Sequence, residues 1–372
     1  MSVLVAGSAS LTCLGDEEAT FAALLRGECG VSDLRYFSAG QLNVRRGYHI
    51  AEPGPERPGR AGRWLARCIA EAAGQAGLAS GARVVLLVGT GLRALRDVEL
   101  AAGSHPMAAE DLHFGGALTG AVTGAGPAVI ISSACAAAGY ALALGQDLLE
   151  LGEADAVVVA GADAMTESML AMIGRFGAEP ADRVRPFDAD RPGVLLGEGA
   201  AAVVLVREDA TPPRPLARLL GCGVSCDARY ETAPDLAGIR RAMDDALCRA
   251  GRDPARVDLV LAHGTGTQLN DQTEAAALGG LFAGVRPGPL VTALKGALGH
   301  TSGASALTSL TLGIRSLRSG LVPPIAGLRE PLADGAGLRL IAGGAVSAPL
   351  RLIQVNAFGF GGVNAVALLE SP

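Results

Sequence analysis

The stretch ALKGALGH, residues 293–300, holds Lys295 and, five residues later, His300. Lys295 is the only lysine among 31 basic residues, and the rest are arginines. An ammonium is compact and shifts its pKa when buried, whereas a guanidinium stays charged. An arginine-rich composition could also leave one lysine by chance, so the neighbours decide. His263, one of five histidines, stands in LAHGTGTQLND (261–271), a glycine/threonine loop that turns Thr265 and Thr267 hydroxyls towards a ligand. A structural role is the common alternative for any single histidine. Two histidines beside glycines at the ends of expected elements make it less attractive. In SSACAAAGYAL (132–142), Cys135 falls on a strand-to-helix turn, where free N–H groups and the helix dipole favour a thiolate. Its small neighbours leave room for a large electrophile; a core-filling cysteine is the alternative. NAFGFGGVNAV (356–366) sets Phe358 and Phe360 among Gly359, Gly361 and Gly362, a pattern for an aromatic gate as well as for core packing.

The elements that must carry these residues alternate along the chain. Short apolar runs bounded by glycine predict strands covered on both faces at 3–7, 84–89, 128–132, 156–161 and 200–206. After the proline-rich TPPRP at 211–215, further strands are expected within 216–224 and at 259–264, 290–295, 338–344, 351–358 and 364–370. Alternation with alanine-rich helices implies α/β layers in two similar halves, 1–208 and 209–372. The helices expected over 136–152 and 301–317 lack an extended charged stripe and so belong in an interior. One per half suggests two sheets around a shared helical layer. Cys135 precedes the first and His300 the second.

Apolar residues make up 49% of the 372 residues, enough for a large core, and a net charge of −6 argues against a nucleic-acid partner. No long apolar run or basic leader is visible, so a soluble, cytoplasmic protein is expected, with no membrane partner. Seven cysteines without a signal peptide are expected to be reduced. The pair Cys222 and Cys226 has no second Cys/His pair nearby, and no metal site is expected. Arg60, Arg63 and Arg67 fall near one face of a helix after the loop at 51–60, a solvated face or a docking patch for an acidic partner.

Taken in order and spacing, SSACAAAG, HGTGT, LKGALGH and NAFGFGG resemble the motifs of β-ketoacyl-acyl-carrier-protein synthases, especially the elongating ketosynthases of fatty acid and polyketide synthesis. RPFDADRPGVLLGEGA (185–200) resembles the segment that follows the cysteine in that family. The resemblance implies the thiolase fold, five αβαβα layers built from two similar halves, and a Cys–His–His site. It implies Cys135 as nucleophile, with the backbone N–H groups of Cys135 and Phe360 as oxyanion hole. His263 and His300 would stabilise an enolate, and Lys295 with Glu274 would hold the histidine pair, the ammonium lowering the imidazole pKa values. Thr265 and Thr267 would bind phosphopantetheine and Ile173 the acyl chain. No bound cofactor is implied, substrates being carried on an acyl carrier protein, and the partner subunit would make a homodimer or a ketosynthase-like heterodimer. A chain-length-factor subunit lacks the nucleophile, which Cys135 argues against. Acyl transfer to an amine or alcohol stays open as an alternative. The stretch before Cys135, of which 105–120 remains, is shorter than in elongating relatives.

Overall fold

The structure, a computed structural model, describes residues 3–37, 42–54, 56–101, 108–118, 120–175, 179–210, 212 and 214–372. The β-branched apolar runs become strands because both of their faces are covered. In the first half these are β1 (Val3–Thr12), β2 (Val84–Gly89), β3 (Val129–Ile131), β4 (Ala156–Asp163) and β5 (Gly199–Arg207). The second half supplies β6 (Ala217–Cys226), β7 (Leu259–Leu261), β8 (Leu290–Thr292), β9 (Arg339–Leu340), β10 (Leu352–Gly359) and β11 (Val363–Glu370). Every residue of β1 and β4 is buried.

Strand pairing repeats between the halves. The first runs β3-β2-β4-β5-β1, the second β8-β7-β10-β11-β6. In each, the first two pairings are parallel and the last two antiparallel. An antiparallel pairing of β1 with β6, from Val3 opposite Leu219 to Val5 opposite Ala217, joins the two.

The helices that build the layers and the site are α1 (Arg60–Ala76), α2 (Leu95–Ala101), α3 (Ala137–Glu150), α4 (Glu167–Ile173), α5 (Leu236–Ala250), α6 (Gln268–Leu281), α7 (Lys295–Leu298) and α8 (Ser305–Ser319); a further helix spans Glu17–Leu25. The α1 helix buries Trp64, Leu65 and Ile69 against the outer face of the first half, and α5 and α6 cover the second. Between the sheets lie α3 and α8. Leu142 and Leu149 of α3 share one core with Leu307, Leu310 and Ile314 of α8. Twelve of the fifteen residues of α8 are buried, as the missing charged stripe requires. These are the five αβαβα layers expected from the sequence.

Two expectations need correction. The run 290–295 is not one strand: β8 ends at Thr292, and Lys295 begins the single turn α7, closed by Gly299 N–H donating to the Lys295 carbonyl. Arg60 does not share an exposed face with Arg63 and Arg67. It is 2% exposed, and its guanidinium is held by Glu198 at 3.0 Å and Glu52 at 3.0 Å. A buried guanidinium already paired with carboxylates has no charge to offer an acidic partner. Arg63 and Arg67 are exposed. Of the segment 105–120, positions 105–107 and 119 lie outside the described residues, and Asp111–His113 and Gly115–Ala117 form short 3-10 turns. Among the described residues no helix is long and apolar enough to cross a membrane, and none of the His, Cys, Asp and Glu side chains gather into a group of three that could hold a metal ion.

Candidate active site

Cys135 sits in a 3-10 turn, Ala134–Ala136, between β3 and α3. Ala134 takes a left-handed φ of 47°, which bends the chain sharply from strand into helix. Behind the cysteine, Gly359 closes β10. A Cβ at Gly359 would lie 3.1 Å from the Cys135 nitrogen, so only glycine lets the two backbones come this close. Backbone N–H groups of Phe360 and of Cys135 itself both act on the thiol to favour its charged form, as does the Lys295 ammonium. Burial outweighs them and the thiol is pushed up to about 11. The helix start expected from the sequence is present, and it and the ammonium act against the desolvation of this half-buried thiol.

His263 follows β7 by two residues. Its backbone N–H and that of Gly264 donate to the two oxygens of Glu274, both at 2.8 Å. Glu274 projects from α6 and also accepts from Asn356 Nδ2 at 3.0 Å. Lys295 Nζ donates to the His263 carbonyl at 2.6 Å and lies 3.2 Å from His263 Nδ1. An ammonium can only donate, so Nδ1 is the acceptor and the ring carries its proton on Nε2. His300 follows α7, its ring centroid 5.3 Å from that of His263 and nearly perpendicular to it. Burial, followed by the Lys295 charge, drives both imidazoles well below the usual histidine pKa, so both are neutral. Burial also lowers Lys295 to about 8, against the opposing pull of Glu274.

Cys135, His263 and His300 open onto one cavity of about 440 Å³. Thr265 and Thr267 line it, their hydroxyl oxygens 2.9 Å apart. Phe358 lines it too and packs its ring 5.6 Å from that of His263, while Phe360 is 41% exposed. Met169, Met172 and Ile173 of α4 give an apolar wall. Lys295 and Glu274 stay behind His263 and Gly361 beyond the wall, none lining the cavity; Arg63 and Arg67 lie elsewhere on α1.

Three buried residues were missed by motif reading. Asp163, at the end of β4, accepts hydrogen bonds from Thr90 Oγ1 and from the N–H groups of Gly91, Leu92 and Gly303. Asp271 accepts from the N–H groups of Gly266 and Phe187 and so holds the threonine loop. Asn356 orients Glu274. Each had a signal in the sequence: Asp271 precedes Glu274 by three residues on one helix, and Asn356 opens NAFGFGG. For Asp163 the signal was an acid closing an otherwise apolar run.

The chain matches two family models, "Beta-ketoacyl synthase, N-terminal domain" over residues 48–210 and "Beta-ketoacyl synthase, C-terminal domain" over residues 216–329. It is 35% identical over 245 residues to nodulation protein E of Rhizobium meliloti, covering 65% of this chain and 61% of that one. It is 35% identical over 247 residues to 3-oxoacyl-[acyl-carrier-protein] synthase 2 of Mycobacterium tuberculosis, covering 62% and 58%. The chain thus spans about six tenths of the length of these curated relatives. Among solved structures, the ishigamide ketosynthase/chain length factor superposes with a TM-score of 0.87 at 30% identity, covering 100% of this chain and 99% of that one. With the strand order repeated in both halves and one cysteine and two histidines on a common cavity, the chain belongs to the β-ketoacyl synthase family.

Proposed function

We propose that the protein catalyses the decarboxylative condensation of an acyl thioester with a malonyl thioester, both presented on the phosphopantetheine of an acyl carrier protein. The observation that carries this reading is the pairing of the neutral His263 with Lys295 across the cavity from a helix-start thiol. In the first half-step Cys135 sulfur attacks the acyl carbonyl and its proton passes to a neutral imidazole; His300 Nδ1 is buried without a partner. The N–H groups of Cys135 and Phe360 would hold the oxyanion, a donor of this kind being worth about 2.7–4 kcal/mol. The carrier thiol leaves and acyl-Cys135 remains.

In the second half-step Thr265 and Thr267 bind the malonyl-phosphopantetheine arm. The malonyl group loses carbon dioxide, and the electron pair left behind forms an enolate. The His263 Nε2–H donor and His300 stabilise its oxygen, each neutral ring offering its one N–H. The enolate carbon then attacks acyl-Cys135 and expels its sulfur as a thiolate, giving a β-ketoacyl thioester; a proton taken up from solvent restores the thiol. None of these steps calls on a metal or redox cofactor. Both substrates are soluble carrier proteins, in keeping with a cytoplasmic enzyme whose partners are the acyl carrier protein and a second ketosynthase-like subunit.

A heterodimer is favoured as a second arrangement by the ishigamide relative, a ketosynthase/chain length factor. On either arrangement this chain is the condensing subunit, because it holds the thiol. We propose 208/209 as the boundary between its two halves. Intact-mass analysis after incubation with acyl- and malonyl-carrier proteins tests the reading. An acyl adduct that maps to Cys135, followed by a condensed product, is expected. An adduct on another cysteine, or acylation without condensation, sinks it.

A further inference from the structure

The apolar wall of the cavity comes from α4, a helix of only seven residues. A helix this short has little stability of its own, so its place depends on what grips its ends. Its C-terminal side is tied by Asn43 Nδ2 donating to the Gly174 carbonyl at 3.0 Å. Its first turn is gripped by a side chain 68 residues away in sequence, Glu99 on α2. Glu99 Oε2 accepts from the Glu167 N–H at 2.7 Å, and Oε1 from the Ser168 N–H at 2.9 Å and Ser168 Oγ at 2.8 Å. Arg96 fixes the carboxylate in turn, NH1 lying 3.0 Å from Oε2 while NH2 pairs with Glu56 at 2.6 Å.

These contacts reach beyond an ordinary cap. Thr166 already caps α4 through its own hydroxyl, which accepts from the Met169 N–H. The Glu99 grip therefore adds a link between α2 and the helix bearing Met169, Met172 and Ile173. The chain leading into α2 lines the same cavity through Gly91 and Leu92, and the Leu92 N–H is fixed by Asp163. Two walls of one cavity are thus locked together through a single carboxylate.

We propose that Glu99 is a specificity-determining positioning residue, which sets the acyl-chain length accepted at Cys135 by fixing α4 against α2. The inference rests on the ketosynthase reading for the cavity's occupant, an unbranched acyl chain. Glu99 does not line the cavity and acts only through the wall it holds. Apolar pockets discriminate by about 10–200-fold per methylene, so a wall free to shift loses selectivity before it loses reactivity.

The test uses Glu99→Ala, Glu99→Gln and Ser168→Ala in the full chain. Acylation of Cys135 is measured with straight-chain acyl thioesters from short to long. Alkylation of Cys135 by N-alkylmaleimides of graded chain length is measured in parallel, the adduct being located by peptide mass. The wild-type dependence on chain length should flatten on the order of tenfold in Glu99→Ala. Glu99→Gln, which keeps an acceptor oxygen, should be intermediate, and Ser168→Ala, which removes one contact, should change least. If Glu99→Ala does not fold, the other two decide. A wild-type chain-length dependence retained in the folded Glu99 variants, or in both remaining variants, overturns the proposal. Absence of any acyl-Cys135 in the wild type would instead sink the ketosynthase reading, while the maleimide series would still decide for or against Glu99.

Discussion

The two halves meet at two strand-to-helix junctions built alike and used differently. In the first, β3 ends at Ile131, Ala134 takes φ 47°, and the turn Ala134–Ala136 leads into α3. In the second, β8 ends at Thr292, Ser302 takes φ 47°, and the turn Ser302–Ala304 leads into α8. The residue after the strained one is Cys135 in one junction and Gly303 in the other. Only residues 132–133 separate strand from strained residue in the first, whereas 293–301 do so in the second, and that longer connection carries Lys295 and His300. A repeated scaffold thus carries a thiol on one side and an ammonium and an imidazole on the other. Asp163 ties the sides together by accepting from Gly91 of the first half and Gly303 of the second.

The hardest way to break this comparison is to make the first junction like the second. Cys135→Gly removes the thiol that the second turn lacks, and acyl-enzyme should vanish entirely from intact-mass spectra while the fold persists. Acyl mass surviving on another thiol would mean that the asymmetry lies elsewhere. Lys295→Arg attacks the other side. The charge is kept, but a planar guanidinium must fit where Nζ now lies 2.6 Å from the His263 carbonyl and 3.2 Å from Nδ1. Displacing the imidazole by about an ångström can lower the rate ~10²-fold, so condensation should drop by that order, with acylation of Cys135 less affected. Condensation near the wild-type rate, followed by carbon dioxide release, would make this lysine an accident of composition.

Most of this asymmetry was legible in the sequence, because it resides in residue types. A lone lysine five residues before a histidine, and a cysteine before a helix without an extended charged stripe, stand out without coordinates. The strand positions followed from short apolar runs, whose pattern is local, whereas the order of the strands in the sheet did not. The misreadings involve desolvation and partners distant in sequence. The helix start of Cys135 was readable locally, whereas the desolvation that opposes it comes in part from β10 packed behind it, which no local pattern measures. Arg60 has the same spacing as exposed Arg63 and Arg67. Its burial depends on Glu198, 138 residues away. Asp163 escaped notice for the same reason: the four donors that make it a clamp come from two segments of the chain.

A smaller effect sharpens the reason for glycine at the second junction. A Cβ at Gly303 would lie 2.2 Å from the Gly91 nitrogen and 2.4 Å from the Thr90 carbonyl carbon, both backbone atoms. No side chain, and so no second nucleophile, fits there. Gly303→Ala should destabilise the protein by about 1–3 kcal/mol in denaturant unfolding, the usual range for overpacking. Gly337→Ala, whose Cβ would meet nothing within 4 Å, is the control. Equal stability of the two variants would show that the junctions have room to separate.

The two junctions should also differ in the side of neutrality on which they lose stability. His300 is buried neutral, with its pKa well below the usual value of about 6.5. Below that pH the unfolded chain binds a proton that the folded chain refuses, so stability present above pH ~6.5 is lost on acidification, at up to about 1.4 kcal/mol per pH unit. His300→Gln removes this group, and its unfolding free energy should fall by about 2 kcal/mol less than that of the wild type between pH 6.5 and 5. Cys135 is perturbed the other way, from 9.0 up to about 11. Nothing is lost below pH 9, where both states hold the proton; above it the unfolded chain ionises first, and stability declines until the folded thiol ionises in turn. Cys135→Ala should therefore flatten only the alkaline limb, and His300→Gln only the acid one. Parallel profiles for His300→Gln and the wild type on the acid side would mean that this imidazole is solvated in the folded protein, and the contrast between the junctions would then rest on Lys295 and the thiol alone.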